Sequence, residues 1–285
     1  MKPPPFDYAC PATLAEAVAL LASREDAKPI AGGQSLMPML AFRVAQPSLL
    51  VDLRKLSDLD RITIADDGVR LGAMVRWRDI EDDVRLRSAH PLLAAAVAHV
   101  AHYQIRNRGT VGGSLAHADP AAEMPGIALT CDAEIAVTGT AGSRTIPARE
   151  FFLGPLMTAL APDEIIVEVR LPAWPARRRW GFREFSRRRG DFALAGVALF
   201  YDEDEDGKAA NAHAGAIGVG DTPVRLTAAE AALNGRTVDD AAIADAARAA
   251  SAEVDPQDDI HAPAAYRRSL VGTMTERALK AAVAI

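Results

Sequence analysis

Two glycine-bearing segments of the chain hold the residue types that bind anions. The first, at 31–40, reads AGGQSLMPML, and its Gly32, Gly33, Gln34 and Ser35 follow an apolar run that ends at Ile30. The second, at 106–125, reads RNRGTVGGSLAHADPAAEMP, and its Thr110, Gly112, Gly113 and Ser114 lead on to His117 and Glu123. Glycine admits positive φ and lets a ligand reach the backbone, while the N–H groups and hydroxyls that follow converge on negative charge. Each charge-assisted bond of this kind contributes about 1.5–3 kcal/mol, so two such loops closing on one diphosphate would supply much of a tight affinity. One Gly-Gly turn alone is most often only a turn.

The common dinucleotide motifs are missing. No G-x-G-x-x-G follows a strand, and no glycine-rich loop ends in Gly-Lys-Ser/Thr. The nearest stretch, GAIGVGD at 215–221, reaches Pro223 without a third glycine and reads as a strand with close backbone approach. A dinucleotide here must be bound without a Rossmann unit. Only Cys10 and Cys131 occur, too few for a disulfide framework or an iron–sulfur or zinc site. His99 and His102 stand three apart on an expected helix, but no third ligand motif follows, so a structural or solvent role fits them better than a metal. No nucleophile, base and orienting group recur at a spacing that suggests catalysis by side chains.

The totals exclude other classes. With 285 residues the chain is long enough for two domains, and a net charge of −6 argues against a broad nucleic-acid surface. The runs Arg177–Arg179 and Arg187–Arg189 read as strand edges or partner contacts. No apolar run approaches the ~20 residues of a membrane span, and MKPPPFDYACP lacks the apolar core of a signal peptide, so the expected location is the cytoplasm.

The elements that must position the two loops are legible in part. TLAEAVALLAS at 13–23 opens with Thr13 and Glu16 in capping-box spacing and predicts a helix. A short strand to Ile30, a second helix near Pro38, a buried strand in SLLVDL and a hairpin about Asp67-Gly68 follow. PLLAAAVAHVAH predicts an apolar helix. By composition the stretch 106–125 is both a poor helix and a poor strand. AAEMPGIALTCDAEIAV predicts a helix and then a strand, and EIIVEVRLP a strand closed by Pro172. AWPARRR reads as a linker, after which three long strands (WGFREFSRRR, DFALAGVALFYDED, AHAGAIGVGD) precede helices at about 227–234, 238–253 and 264–284, the order of an α+β domain. YDEDEDG reads as a hairpin end.

Taken together, AGGQSLMPML and QIRNRGTVGGSLAHADPAAEMP resemble the two FAD signatures of the flavoprotein subunit of the xanthine dehydrogenase and aerobic carbon monoxide dehydrogenase family of molybdenum hydroxylases. FREFSRRRGDFALAGVAL resembles that subunit's entry into its C-terminal domain. The resemblance implies an α+β fold: a two-lobed, vanillyl-alcohol-oxidase-like (PCMH-type) FAD-binding domain over residues 1–175, with lobes at about 1–55 and 56–175. A smaller C-terminal domain with a three-stranded antiparallel sheet and helices would follow over 178–285.

The same resemblance implies the site. Ile30, Ala31, Gly32, Gly33, Gln34, Ser35 and Leu36 would close on the FAD diphosphate from one lobe, with Gln34 where many relatives carry His. Thr110, Val111, Gly112, Gly113 and Ser114 would wrap it from the other, Ser114 replacing a frequent Asn; Ala101 and His102 join the cofactor contacts. His117 falls at a phosphate-proximal position, and Glu123 at that of an acid, usually Asp, that binds a hydroxyl-bearing part of FAD. Leu160 matches an apolar neighbour of the flavin ring, Arg183 a frequent Lys near it, and Phe192 an aromatic residue at its face. Alone, Leu160 and Phe192 would read as core.

In such complexes a molybdopterin large subunit hydroxylates the substrate and a small subunit with two 2Fe-2S clusters relays the electrons. The flavin subunit passes them to an external acceptor, and the assembly is typically a dimer of heterotrimers. The chain is therefore expected to be an FAD-binding electron-transfer subunit with its molybdenum and iron–sulfur groups on partners and no metal of its own. Two other readings fit the same residues: a self-contained FAD-dependent oxidoreductase, and a flavin-free binding or assembly protein of the same fold.

Overall fold

The structure, a computed structural model, describes residues 2–285. Asp7–Ala9 (β1), Lys28–Ile30 (β2) and Leu49–Asp52 (β3) form a parallel sheet in the order β1-β3-β2. Parallel neighbours need a crossover: the helix Leu36–Ala41 joins β2 to its neighbour β3, while the helix Leu14–Ala22 carries the chain from β1 to the far edge strand β2. Thr13 caps the first, its Oγ1 accepting the Glu16 N–H at 3.2 Å. Ala17, Val18 and Leu21 pack on Leu49 and Val51, joined by Leu56 and Leu59 from the turns that follow β3.

A second sheet is antiparallel, in the order β4-β5-β10-β6-β7. Its strands are Ile62–Ala65 (β4), Gly68–Gly72 (β5), Glu134–Gly139 (β6), Gly142–Pro147 (β7) and Ile165–Pro172 (β10). Phe152–Gly154 (β8) and Met157–Thr158 (β9) make a hairpin of their own. The β4–β5 turn falls at Asp66-Asp67-Gly68, as the sequence predicts, with Gly68 at φ +136°.

Two local expectations change here. The helix expected through His102 runs only over Pro91–Val97; Ala101 then takes φ +41°, and His102 precedes a separate turn of helix, Tyr103–Arg106. His99 and His102 therefore do not share a helix face, and the His99 ring packs edge-on to Phe182 at 5.0 Å. The poor helix former at 111–117 is nevertheless a helix, Val111–His117. Two glycines cost it about 1 kcal/mol each. Against that, Thr110 caps its N-terminus, its Oγ1 accepting the Gly113 N–H at 3.1 Å, and the bare Gly112 lies against Ala73, where a β-carbon would stand 2.6 Å from the Ala73 methyl.

The C-terminal sheet has four strands where three are expected: Arg178–Phe185 (β11), Ala195–Glu203 (β12), Ala209–Ile217 (β13) and Val224–Arg225 (β14). The fourth is two residues long, too short to leave a periodic signal. Arg178 and Arg179 already belong to β11 and pair with Asp202 at 2.8 Å and Glu203 at 3.1 Å, so the expected linker is shorter than AWPARRR. The helices Thr227–Leu233, Asp240–Glu253 and Ala264–Val283 cover one face. Along β12, Val197, Leu199 and Tyr201 enter their core, while Ala198 and Phe200 enter the core of the preceding lobe. A strand buried on both faces reads as one continuous apolar run.

That second contact is reinforced by aromatics. Trp174 stands 4.6 Å from the His90 ring and 5.5 Å from Phe200, and the Arg178 guanidinium lies 4.1 Å above Phe200 and 5.0 Å from Trp174. Among the described residues no helix is long and apolar enough to cross a membrane.

Candidate functional site

A cleft of about 1290 Å³ runs between the first lobe, the second lobe and the C-terminal sheet. All the cofactor-contact residues expected from sequence line it except Val111 and Arg183. The two glycine segments meet there in space. Gly32 rests on the turn before Thr110, where a β-carbon would stand 2.1 Å from the Arg108 carbonyl oxygen.

The two segments are not equivalent in what they offer. In the first, Gly33 takes φ +71°, turning the chain so that, among the described residues, the N–H groups of Gly32, Gly33, Gln34 and Ser35 have no protein acceptor. Four such donors in succession, on half-buried Gly32, Gly33 and Gln34 and exposed Ser35, line the cleft wall as a cradle for an anion. Gln34 braces this loop, its Nε2 donating to the Gly32 carbonyl at 3.0 Å.

In the second segment the donors are already spent. Val111 and Gly112 donate to Val75 and Ala73 carbonyls, each at 2.9 Å, Gly113 to Thr110 Oγ1, and Ser114 to the Thr110 carbonyl at 3.0 Å. The expectation that its backbone N–H groups converge on a ligand is thus corrected: the Ala73–Val75 segment takes two of them and the Thr110 cap the other two. What it presents to the cleft is the Thr110 and Ser114 hydroxyls and the bare Gly113. Val111 is fully buried and its N–H is taken, so it belongs to the core.

The remaining residues spread along the cleft. Half-buried His117 is kept below the usual imidazole range by burial, against a smaller opposing pull from Asp119, and is therefore neutral at pH 7. Glu123 begins the helix Glu123–Thr130, and burial, helped by Asp119, pushes its carboxyl up to about 7. Ala101 and His102 abut Gly190, whose α-carbon side faces the Ala101 carbonyl; Arg106 pins that turn by donating to the Val100 and Ala101 carbonyls while pairing with Glu81 at 2.9 Å. Phe192 projects 70 % exposed at the cleft's rim, and Leu160 lies half-buried on the opposite wall.

Arg183 does not reach the cleft, for a reason of strand phase. On β11, Trp180 and Phe182 face the second lobe, Phe185 faces the C-terminal helices, and Gly181 backs onto Ala278. Side chains alternate along a strand, so Arg183 starts on the helix side, and its guanidinium donates to the Phe182 carbonyl at 2.7 Å. Arg187, past the end of the strand, lines the cleft instead.

Sequence reasoning missed one wall. The GAIGVGD stretch leaves β13 at Ile217; Gly218 turns at φ +74°, donates to the Pro120 carbonyl at 2.9 Å and lines the cleft with Gly220 and Asp221. Arg267 secures it, donating to the carbonyls of Leu194 and Gly218 and pairing with Asp259, each at 2.7 Å. The glycine spacing was a signal for the turn; nothing in the helical pattern of 264–284 singled out Arg267.

Residues 4–174 match the family model described as the FAD binding domain in molybdopterin dehydrogenase, and residues 180–282 that of the CO dehydrogenase flavoprotein C-terminal domain. The chain is 42 % identical over 284 residues to 6-hydroxypseudooxynicotine dehydrogenase complex subunit alpha of Paenarthrobacter nicotinovorans, covering 99 % of this chain and 96 % of that one. It superposes on the structure of carbon monoxide dehydrogenase from Hydrogenophaga pseudoflava with a TM-score of 0.96 at 39 % identity, and on quinoline 2-oxidoreductase from Pseudomonas putida 86 with 0.95 at 40 %. Both superpositions cover 100 % of this chain and 99 % of the other. The chain belongs to the family of FAD-binding medium subunits of the molybdopterin dehydrogenases.

Proposed function

We propose that one FAD lies extended along the cleft and that the chain passes electrons from an iron–sulfur subunit to an external acceptor. The observation that carries this reading is the row of unpartnered N–H groups at Gly32–Ser35, facing the hydroxyl-bearing start of the helix Val111–His117. A diphosphate fits that pair of walls: donors on one side, hydroxyls and a bare glycine on the other. Ile30, Ala31 and Leu36 flank the cradle, and Thr110, Gly112, Gly113 and Ser114 form the facing wall. His117, neutral, donates or accepts a hydrogen bond without adding charge. Glu123 holds a hydroxyl-bearing part of the cofactor, while Leu160, Phe192, Ala101 and His102 enclose the ring.

When bound, FAD supplies the exchange between one-electron and two-electron transfer. The protein's part is to bind it, to exclude water from its ring, and to hold it within reach of a partner's cluster. The functional units are an FAD-binding domain at 1–175, with lobes at about 1–55 and 56–175, and a C-terminal domain at 178–285 that closes the cleft. The partners are an iron–sulfur small subunit and a molybdopterin large subunit, which selects the substrate, in a cytoplasmic dimer of heterotrimers.

The test is a visible spectrum of the purified chain after adding FAD and gel filtration, with chromatography of the released flavin. Stoichiometric FAD, reduced by dithionite and by no organic substrate, is the expected result. Reduction of the lone chain by an organic substrate would favour a self-contained oxidoreductase, and no retained FAD would overturn the cleft assignment.

A further inference from the structure

We propose that the ion pair of Arg144 and Glu164 is a positioning device for the cofactor, acting through Leu160, whose backbone it holds on both sides. The proposal rests on the FAD reading above. Leu160 lies on the cleft wall in a stretch that belongs to no helix or strand, between β9, which ends at Thr158, and β10, which starts at Ile165. No ladder of backbone bonds fixes such a segment, so its place depends on the bonds that side chains make to it.

Those bonds converge on the two neighbours of Leu160. On one side the Ala159 carbonyl accepts from Arg144 Nη2 at 2.7 Å; on the other the Ala161 N–H donates to Glu164 Oε2, also at 2.7 Å. The two side chains are themselves joined as a fork, Nε to Oε1 at 2.7 Å and Nη2 to Oε2 at 2.8 Å. A bidentate pair fixes direction as well as distance. One clamp thus grips the chain before and after a single apolar residue of the cleft wall.

The clamp is anchored in the second sheet. Arg144 belongs to β7, where it stands opposite Val137 of β6. The turn between these strands rests on the same loop: Asp163 accepts both the N–H and the hydroxyl of Thr140, at 2.7 and 2.5 Å, and a β-carbon on Gly139 would stand 2.9 Å from Glu164 Cγ. The Glu164 side chain is only 9 % exposed, and the bonds from Arg144 hold its carboxyl below the usual range although burial raises it. Without Arg144 that carboxylate is drawn toward water, and the Ala161 N–H that it holds goes with it. Arg144 is half exposed, where an ion pair adds little to global stability, so its effect is to be read at the cofactor.

The experiment uses the full chain, stripped of flavin and titrated with FAD, as wild type, Arg144→Gln, Leu160→Ala and the double variant, with a denaturant melt of each. Leu160→Ala should weaken FAD about tenfold, the scale of methylene groups lost from an apolar contact, and Arg144→Gln about fivefold, since it displaces the side chain without removing it. The double variant should match Leu160→Ala within about twofold, because a clamp with nothing to position has no further effect. Independent effects would multiply to about fiftyfold and overturn the proposal. Wild-type affinity in either single variant also overturns it, and a lowered melt of Arg144→Gln with wild-type affinity marks the pair as structural only. Should Arg144→Gln not fold, Arg144→Lys, which keeps the charge and loses the fork, takes its place in the same cycle. Absence of FAD binding by the wild type overturns the FAD reading instead.

Discussion

Gly32 and Arg108 meet backbone to backbone, with a β-carbon on Gly32 falling 2.1 Å from the Arg108 carbonyl oxygen. The contact ties the loop after β2 to the turn before Thr110 and so fixes the gap across which a diphosphate would lie. Gly32→Ala must push the two apart. The expected result is loss of bound FAD together with a stability cost of about 1–3 kcal/mol, the range of overpacked sites. The ratio of flavin to protein absorbance and a denaturant melt check both; a folded variant with full flavin would show that the spacing is not needed.

Gly112 and Gly113 are adjacent, yet their reasons differ. A β-carbon at Gly112 would meet Ala73, whereas one at Gly113 would meet Thr110 Oγ1 at 2.8 Å and approach the Ala31 methyl at 3.7 Å, across the cleft. Gly112→Ala should lower the melting temperature more than the flavin content of the molecules that fold. Gly113→Val should do the reverse, abolishing FAD binding and costing about 1 kcal/mol through the disturbed Thr110 cap. Near-normal flavin in folded Gly113→Val would count against the diphosphate assignment.

What the sequence disclosed and what it hid follow physical lines. The glycine turn at Gly32-Gly33, the hairpin at Asp67-Gly68 and the long C-terminal helices are local signals, written in residue type and period, and they stand where they were expected. The helix Val111–His117 was hidden because tertiary contacts outweigh its propensity: Thr110 caps it, and Ala73 accepts its bare face. The spent donors of 111–114 were equally hidden, since their acceptors Ala73 and Val75 lie some forty residues away. Arg183 shows a different failure. A resemblance carries a position over by alignment, but only the strand's phase, read from Phe182 and Phe185, tells which way its side chain leaves the sheet.

That phase makes a prediction about charge near the flavin. Arg183→Gln should leave flavin content and reduction potential at wild-type values, because the side chain is exposed and does not line the cleft. Arg187→Gln removes a cation from the cleft wall and should lower the potential, since a positive charge favours the anionic reduced flavin. For an exposed charge the effect is about 1 kcal/mol or less, or ~20 mV for a two-electron couple. Spectroelectrochemistry of both variants decides between the two arginines.

Trp174 makes a prediction about the seam between the second lobe and the C-terminal sheet. It is half-buried between His90 and Phe200, with Arg178 stacked beside it. Trp174→Ala should cost about 2 kcal/mol, less than the ~3–5 of a fully buried tryptophan. It should also loosen FAD, because the C-terminal sheet carries one wall of the cleft; Trp174→Phe, which keeps an aromatic ring against His90, should restore most of both. Flavin retention unchanged in Trp174→Ala would separate the seam from the site.

The acid limit of the fold should be set in large part by His90. It is buried, with 1 % of its surface exposed, and its Nδ1 accepts the Leu93 N–H at 3.2 Å, capping the helix Pro91–Val97 as the neutral imidazole. Burial, with a smaller push from Arg178, drives its pKa down to about 3. A base whose pKa is depressed on folding binds fewer protons folded than unfolded, so stability rises with pH across that interval. The contribution is therefore complete above the unfolded value of about 6.5 and is lost progressively as pH falls toward 3. His90→Asn keeps a side-chain acceptor at the cap but cannot titrate. Denaturant melts between pH 4 and 8 should show wild-type stability declining below about pH 6.5, and the His90→Asn profile declining less steeply over the same range. Equal slopes for the two proteins would mean that the acid limit lies with other groups, such as the half-buried His117 and His213, whose burial also lowers their pKa.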